Sequence, residues 1–161
     1  MSKTYQTFAT LQRQKAQLRD HAVLSSGIQL ASWFNQGDRV TNLSDHHTLS
    51  LYVAEGYDTW HKTQHGWHNG GGPDRFCLMP QGSESTWDVR AELAFVHLYC
   101  TDEHLRHLAE QIWDRSPARL SLHEKVFAGD DRITQLYRHF LLSCDWQQPA
   151  SQMVLTTAST L

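Results

Sequence analysis

Arg75-Phe-Cys-Leu-Met-Pro-Gln-Gly-Ser-Glu-Ser-Thr-Trp87, followed by Leu93-Ala-Phe-Val-His-Leu-Tyr99, is the stretch that decides the fold. Two apolar runs flank a turn built on Pro80 and Gly82. Proline presets its own φ there, and glycine tolerates the left-handed backbone that tight turns need. The runs predict a pair of strands joined by that turn. After them the apolar spacing becomes helical and stays so to Leu161. A β half followed by a helical half that stops in mid-helix is expected of a piece of a larger protein.

N-terminal to that stretch, the pattern is β from Gly27 onward. Gly27–Phe34 alternates loosely and ends in the turn cluster Asn35-Gln-Gly-Asp38. Thr48–Val53 alternates cleanly, with Leu49, Leu51 and Val53 on one face and Ser50 and Tyr52 on the other. Glu55-Gly56 predicts a hairpin turn, with Tyr57–Thr63 running back. Residues 65–74, with four glycines and a proline, predict a flexible connection. Residues 3–20 predict a polar helix that buries Phe8, Leu11 and Leu18 and serves as a lid or arm.

In the C-terminal half, Thr101 or Asp102 can cap a helix in which Leu105, Leu108, Ala109, Ile112 and Trp113 share a face. Leu120–Phe127 predicts an extended link. Asp130 then opens a second helix whose stripe is Ile133, Leu136, Tyr137, Phe140, Leu141 and Cys144, and a third helix begins near Ser151.

The chain has 161 residues, enough for one domain with a real core and short for two. Hydrophobic residues make up 40% and charged residues 19%, which places it among globular proteins and away from disorder. Lys plus Arg number 14 against 17 Asp plus Glu, a formal charge of -3. Acids and bases interleave from Thr101 to Asp145, so no basic stripe exists to neutralise phosphates, and the chain is not expected to grip DNA itself. The three cysteines, Cys77, Cys100 and Cys144, form no CxxC pair and fit a reducing compartment. Neither a signal pattern nor an apolar run of membrane length occurs, so a cytoplasmic protein without membrane contact is expected.

Eleven histidines raise the question of a metal. His61, His65 and His68, with His46 and His47 nearby, could supply imidazoles to a transition metal. Against this, the glycine-rich loop is a poor frame, HExxH and cysteine–histidine zinc spacings are absent, and only Asp58 and Asp74 lie close as orienting carboxylates. Surface or loop histidines are the preferred reading. Asp74–Val89 resembles the second motif of metal-binding cupins, in which a Pro-x-Gly turn is followed three residues later by a ligand histidine. Pro80-Gln81-Gly82 matches, but Ser85 holds the histidine position, and the first motif's His-x-His is missing. A metal-dependent cupin enzyme built on His61, His65 and His68 is therefore the lesser alternative. No Gly-x-Ser-x-Gly elbow occurs, and Gly70–Gly72 lacks the lysine and helix of a phosphate loop. No catalytic residue, metal or cofactor is expected, and no enzymatic activity.

The aromatics offer more. Trp33, Tyr52, Trp60, Trp87 and Tyr99 fall on or beside predicted strands, and His97 shares a face with Tyr99, Leu93 and Phe95. Apolar rings with polar tips suit a pocket for a small organic ligand. These six residues are the candidate ligand contacts; core packing is the plain alternative for each. Ile133, Leu136, Tyr137, Phe140 and Leu141 are the candidate dimerisation face. Packing against the β half is its plain alternative.

The order of these parts resembles the N-terminal sensing and dimerisation domain of AraC-type transcription regulators. The landmarks are the strand His47–Val53, the Phe76–Gly82 turn leading to Trp87, the strand Leu93–Tyr99, the capped helix and the helix opening Asp130-Asp-Arg-Ile-Thr-Gln-Leu. The resemblance covers roughly residues 25–161. It implies an α+β fold, a cupin-like double-stranded β-helix barrel followed by an antiparallel pair of amphipathic helices. It implies one sensor domain, with an arm at 1–24, the barrel at 25–100 and a helical dimerisation part at 101–161. It further implies a small-molecule effector in the barrel, a homodimer, and DNA contact only through a C-terminal helix-turn-helix domain absent from this chain. A ligand-free interaction module is the remaining alternative.

Overall fold

The structure, a computed structural model, describes residues 6–13, 16–24, 28–43, 45–111, 125–142 and 145–147. Along the chain run α1 (Gln6–Arg13), β1 (Gln17–Val23), β2 (Gln29–Asn35), β3 (Asp38–Leu43), β4 (His47–Glu55), β5 (Thr59–Thr63) and β6 (Gly66–Asn69). Then follow β7 (Phe76–Met79), β8 (Glu84–Val89), β9 (Leu93–Cys100), α2 (Asp102–Gln111), β10 (Lys125–Ala128) and α3 (Asp131–Leu136), which widens into a π-helical turn over Tyr137–Leu141. No helix among the described residues is long and apolar enough to cross a membrane.

The strands form two sheets, ordered β1-β2-β9-β4-β7-β10 and β3-β8-β5-β6. Without the edge strands β1 and β10, the order is β2-β9-β4-β7 facing β3-β8-β5-β6. That is a jelly roll, the architecture cupins share, in which the chain passes repeatedly from one sheet to the other. Two sequence expectations are corrected by it. The strands on either side of Pro80–Gly82 are not paired with each other: β7 lies in the six-stranded sheet and β8 in the four-stranded one. Glu55-Gly56 likewise carries the chain from β4 to β5 across the two sheets and makes no hairpin. Local sequence supplied the turns in both cases, but pairing in a jelly roll is set by distant strands.

Period-two alternation decides what each sheet buries. The six-stranded sheet sends Trp33, Tyr52, Cys77, Leu93, Phe95 and Tyr99 inward, where Val40 and Val89 of the four-stranded sheet meet them. Its other face carries Leu30, Leu51, Phe76 and Val96, and it too is covered, by Tyr137 and Trp146, with Ile133 partly buried against them. The six-stranded sheet is thus sandwiched on both sides. Of the two helices expected to pair, α3 packs on the sheet through Ile133 and Tyr137, and β10 lies between α2 and α3 in sequence and pairs with β7.

The N-terminal helix is shorter than expected. It ends at Arg13, and Leu18 belongs to β1, which pairs antiparallel with β2. The six-stranded sheet thus takes one edge strand, β1, from before residue 25 and the other, β10, from beyond residue 100. Both helix starts follow their sequence signals: Thr101 Oγ1 accepts from His104 N–H at 3.1 Å and Asp130 Oδ1 from Arg132 N–H at 2.9 Å. The expected third helix and Cys144, like Ile112 and Trp113, lie outside the described residues.

The glycine segment is a tight crossing and not a loose tether. Gly66–Asn69 forms β6, a hairpin partner for β5. A Cβ on Gly71 would stand 2.3 Å from the carbonyl oxygen of Gly56, so the two backbones touch where β4 turns toward β5. Gly56 itself has φ +91, and a Cβ there would meet Leu93 at 2.8 Å. Gly71→Ala is expected to cost about 1–3 kcal/mol by overpacking. Gly37→Ala, where nothing lies within 4 Å, is expected to change stability by less than about 1 kcal/mol. Urea unfolding of both variants checks the difference.

Candidate functional site

Between the sheets lies a cavity of about 60 Å³. Tyr52, Cys77, Met79, Leu93 and Phe95 line it from the six-stranded sheet, and Val40, Trp87 and Val89 from the four-stranded one. Thr10 and Leu11 of α1 line it as well. The helix is held in place by Phe8, whose ring packs 5.3 Å from that of Trp33. Of the segment read from the sequence as a lid or arm, Thr10 and Leu11 of α1 are the residues that line the cavity. A water occupies roughly 10–15 Å³ on this kind of measure, so the cavity holds a few waters or a small organic group.

A chain of hydrogen bonds crosses the inner face of the six-stranded sheet. Trp33 Nε1–H donates to Tyr99 Oη at 3.3 Å, Tyr99 Oη lies 2.9 Å from His97 Nδ1, and His97 Nε2 lies 2.9 Å from Ser50 Oγ. The indole can only donate. With Tyr99 donating its one hydrogen to Nδ1, the ring carries its proton on Nε2 and donates to Ser50. The serine's own hydrogen is then left for the cavity it lines. Burial drives the His97 pKa from 6.5 down to about 3, with His46 adding to the effect, so the ring is neutral at physiological pH. Burial likewise keeps Tyr99 protonated.

Asn35, Asn42 and Thr59 are further polar side chains on the cavity wall, Thr59 coming from β5. Thr59 is 1% exposed, and its Oγ1 has no hydrogen-bond partner among the described residues. An unmatched buried hydroxyl costs about 1–3 kcal/mol, so its retention facing a cavity is chemically informative. Ser85, which takes the place of a ligand histidine in the sequence comparison, has its hydroxyl engaged twice. It accepts from Trp87 Nε1–H at 2.9 Å and donates to Met79 Sδ at 3.5 Å, fixing Trp87 in the wall.

The predicted site residues separate accordingly. Tyr52, Trp87 and His97 line the cavity, and Trp33 and Tyr99 stand behind them as the far end of the hydrogen-bond chain. Trp60 is not brought to this cavity. It alternates with Thr59 and His61 on β5 and lies on the outer face, where its Nε1–H donates to Asp58 at 2.6 Å and Arg90 covers its ring at 4.6 Å. His61 is buried, with its ring 4.5 Å from that of Trp87, and is paired with His68 across β5 and β6, while His65 occupies the exposed connecting turn. Among the described residues no three His, Cys, Asp or Glu side chains gather as a metal would require.

Phe127 is a backing residue of the wall that sequence reading missed. Its backbone has φ +52, unusual for a non-glycine residue, and its ring packs edge-on to Trp87 at 5.8 Å and to Tyr52 at 6.1 Å. It reaches there from a bulge in β10, and its N–H donates to Cys77 Sγ at 3.5 Å. Only the apolar context around it hinted at burial.

The predicted dimerisation stripe divides. Ile133 and Tyr137 turn onto the chain's own sheet. Tyr137 Oη donates to Asp74 Oδ1 at 2.7 Å, and Arg138 pairs with the same carboxylate, which these partners hold below its usual pKa. Leu136 lies with Arg132, Gln135 and His139 along a separate groove. The side chains of Phe140 and Leu141 lie outside the described residues. At the other helix, Gln81 N–H donates to His47 Nδ1 at 3.0 Å, and His47 Nε2–H donates to Asp102 at 2.9 Å. The Pro80–Gly82 turn is thereby tied to the first turn of α2.

The neutral His97 predicts a pH response. Unfolded, its ring takes up a proton below about pH 6.5; folded, it refuses one until about pH 3. Its contribution to stability is therefore intact above pH 6.5 and declines as pH falls through that window, at a limiting slope of about 1.4 kcal/mol per pH unit. His97→Gln, which keeps the ring's hydrogen-bonding capacity but cannot titrate, is expected to lower stability at pH 7 and flatten the pH 6 to 4 slope by about one proton. Urea unfolding across that range measures it.

No protein-family model matches the chain, and no curated protein does. Among solved structures it is similar to a putative ethanolamine utilization protein Q from Salmonella typhimurium (8% identity over 52% of this chain and 68% of that one, TM-score 0.43). It is similar also to a protein of unknown function from Rhizobium leguminosarum (14% identity, 63% and 97% covered, TM-score 0.46). A third is a cupin superfamily protein from Desulfitobacterium hafniense (9% identity, 55% and 78% covered, TM-score 0.42). Cupin proteins are thus among its structural neighbours, and the jelly-roll strand order of this chain stands independently of them.

Proposed function

We propose that this chain is the sensing portion of an AraC-type transcription regulator. It takes a small effector into the space between its sheets and passes the occupied state to a DNA-binding domain outside this chain. The observation that carries the reading is an aromatic-walled cavity lined in part by α1, into which an unmatched, buried Thr59 hydroxyl projects. Convergent polar groups in an otherwise apolar pocket are what small-molecule sites have in common.

The mechanism is a population shift. A ligand larger than the cavity's about 60 Å³ binds better to a conformation in which α1 has moved from Trp33, and so biases the arm. Phe127 gives the C-terminal helical segment its own contact with the same wall. On α3, Leu136 is the part of the apolar stripe turned from Ile133 and Tyr137, and a second copy of the chain would meet it there. The reading is of a non-catalytic cytoplasmic protein. The cavity lining among the described residues has neither a carboxylate nor a lysine or arginine to move protons or bind phosphate.

A thermal-shift screen of small organic compounds is expected to find at least one class that raises Tm with dose, approaching about 2.7 kcal/mol at a hundred times Kd. Stabilisation by no class would leave the barrel a scaffold and remove the sensor reading. Sedimentation of the full-length protein is expected to give a dimer, and a strict monomer would remove the role assigned to α3.

A further inference from the structure

We infer that the cavity selects an uncharged, oxygen-bearing molecule of phenol size or smaller, held between Thr59 of one sheet and Ser50 of the other. This rests on the effector-binding reading above and narrows it to a ligand class.

The wall sets the charge. No Asp, Glu, Lys or Arg is among the described residues that line the cavity. Of the titratable rings that do, burial keeps the Tyr52 phenol protonated, and His97 has both nitrogens engaged within the protein, so neither offers a counter-charge. A carboxylate, phosphate or ammonium brought here would lose its hydration with no ion to replace it, a cost that neutral ligands escape.

The hydroxyls set the polar pattern. Ser50 Oγ lies 2.9 Å from His97 Nε2, and whichever of the two donates, the hydroxyl keeps its hydrogen or a lone pair for the cavity it lines. Thr59 Oγ1, buried and without a partner among the described residues, can give one hydrogen bond and accept another. A ligand hydroxyl or carbonyl matches this pair, whereas a plain hydrocarbon that fills the cavity offers the Thr59 hydroxyl nothing. Met79, Trp87, Leu93 and Phe95 supply the apolar remainder. A cavity of about 150 Å³ accommodates benzene. A ring in this smaller space therefore pushes on Thr10 and Leu11 of α1, while a short alcohol or ketone does not.

Thr59 permits a test in which stability and binding move in opposite directions. Valine has nearly the same shape and no hydroxyl. Thr59→Val is expected to raise the Tm of the ligand-free protein by about 2–4 °C, because it removes an unmatched polar group. It is also expected to weaken phenol and cyclohexanol binding about fivefold, while leaving toluene binding unchanged. Calorimetry and thermal shift at pH 7 would use phenol, cyclohexanol, toluene, benzoate and benzylamine. The expected order places phenol and cyclohexanol first, toluene roughly fivefold weaker, and benzoate and benzylamine at least about a hundredfold weaker. Benzoate or benzylamine binding as tightly as phenol overturns the charge selection. A Thr59→Val protein that melts lower and keeps the wild-type preference for phenol over toluene makes Thr59 a packing residue and overturns its role. Equal affinity for phenol and toluene sinks this inference but leaves effector binding standing, whereas the absence of binding by all five probes removes both.

Discussion

His97 sits in the middle of the six-stranded sheet, opposite Ala31 of β2 on one side and Ser50 of β4 on the other, with its ring buried. Both ring nitrogens have to be satisfied by the protein, since an imidazole in that position can neither ionise cheaply nor leave a nitrogen bare. The neighbours answer this demand as a chain. An indole that only donates opens the chain, and the phenol, the imidazole and the serine hydroxyl follow it in hydrogen-bond contact. The polar edge of the cavity follows from a hydrogen-bond order that begins at Trp33 on the far side of the sheet.

That order holds only while the strands stay in register, and the outer layer of the molecule keeps them there. Leu30, Leu51 and Val96 come from the three central strands and share one buried cluster with Tyr137 and Trp146. Slipping any one strand by a residue would exchange this face with the inner one and put His97 or Ser50 against the helical segment. The Tyr137–Asp74–Arg138 contacts and the His47–Asp102 contact pin the two helical pieces to loops of the barrel. The second core is therefore part of what makes the first one specific.

Much of this was legible in the residues. β7 and the long strand β9 carry enough consecutive apolar residues for their limits to be read directly, and β4 separates Leu49, Leu51 and Val53 from Ser50 and Tyr52 by alternation alone. The shared face of Leu93, Phe95, His97 and Tyr99 is likewise visible from period two. β1 was hidden because an edge strand of Gln, Arg, Asp and His has no apolar rhythm to distinguish it from a polar helix. β3 was hidden because Asn42 points inward where an apolar residue would advertise the strand. The sheet-switching turns resemble hairpins locally, since the partners of β7 and β8 lie tens of residues away. In the cavity, Tyr52, Trp87 and His97 announced themselves by type. Thr59 did not, since a threonine in a strand is ordinary and only burial without a partner sets it apart. Phe127 needed the bulge in β10 to bring a distant segment to the wall.

The two sheets differ in what supports them. The six-stranded sheet is pressed from both sides, but the outer face of its partner bears Arg39, Lys62, Asp88 and Arg90 against solvent, with Trp60 half-covered among them. The cavity is therefore bounded by one wall that is covered on both faces and one that is covered only toward the cavity, with Ser50 and His97 on the first and Thr59 and Trp87 on the second.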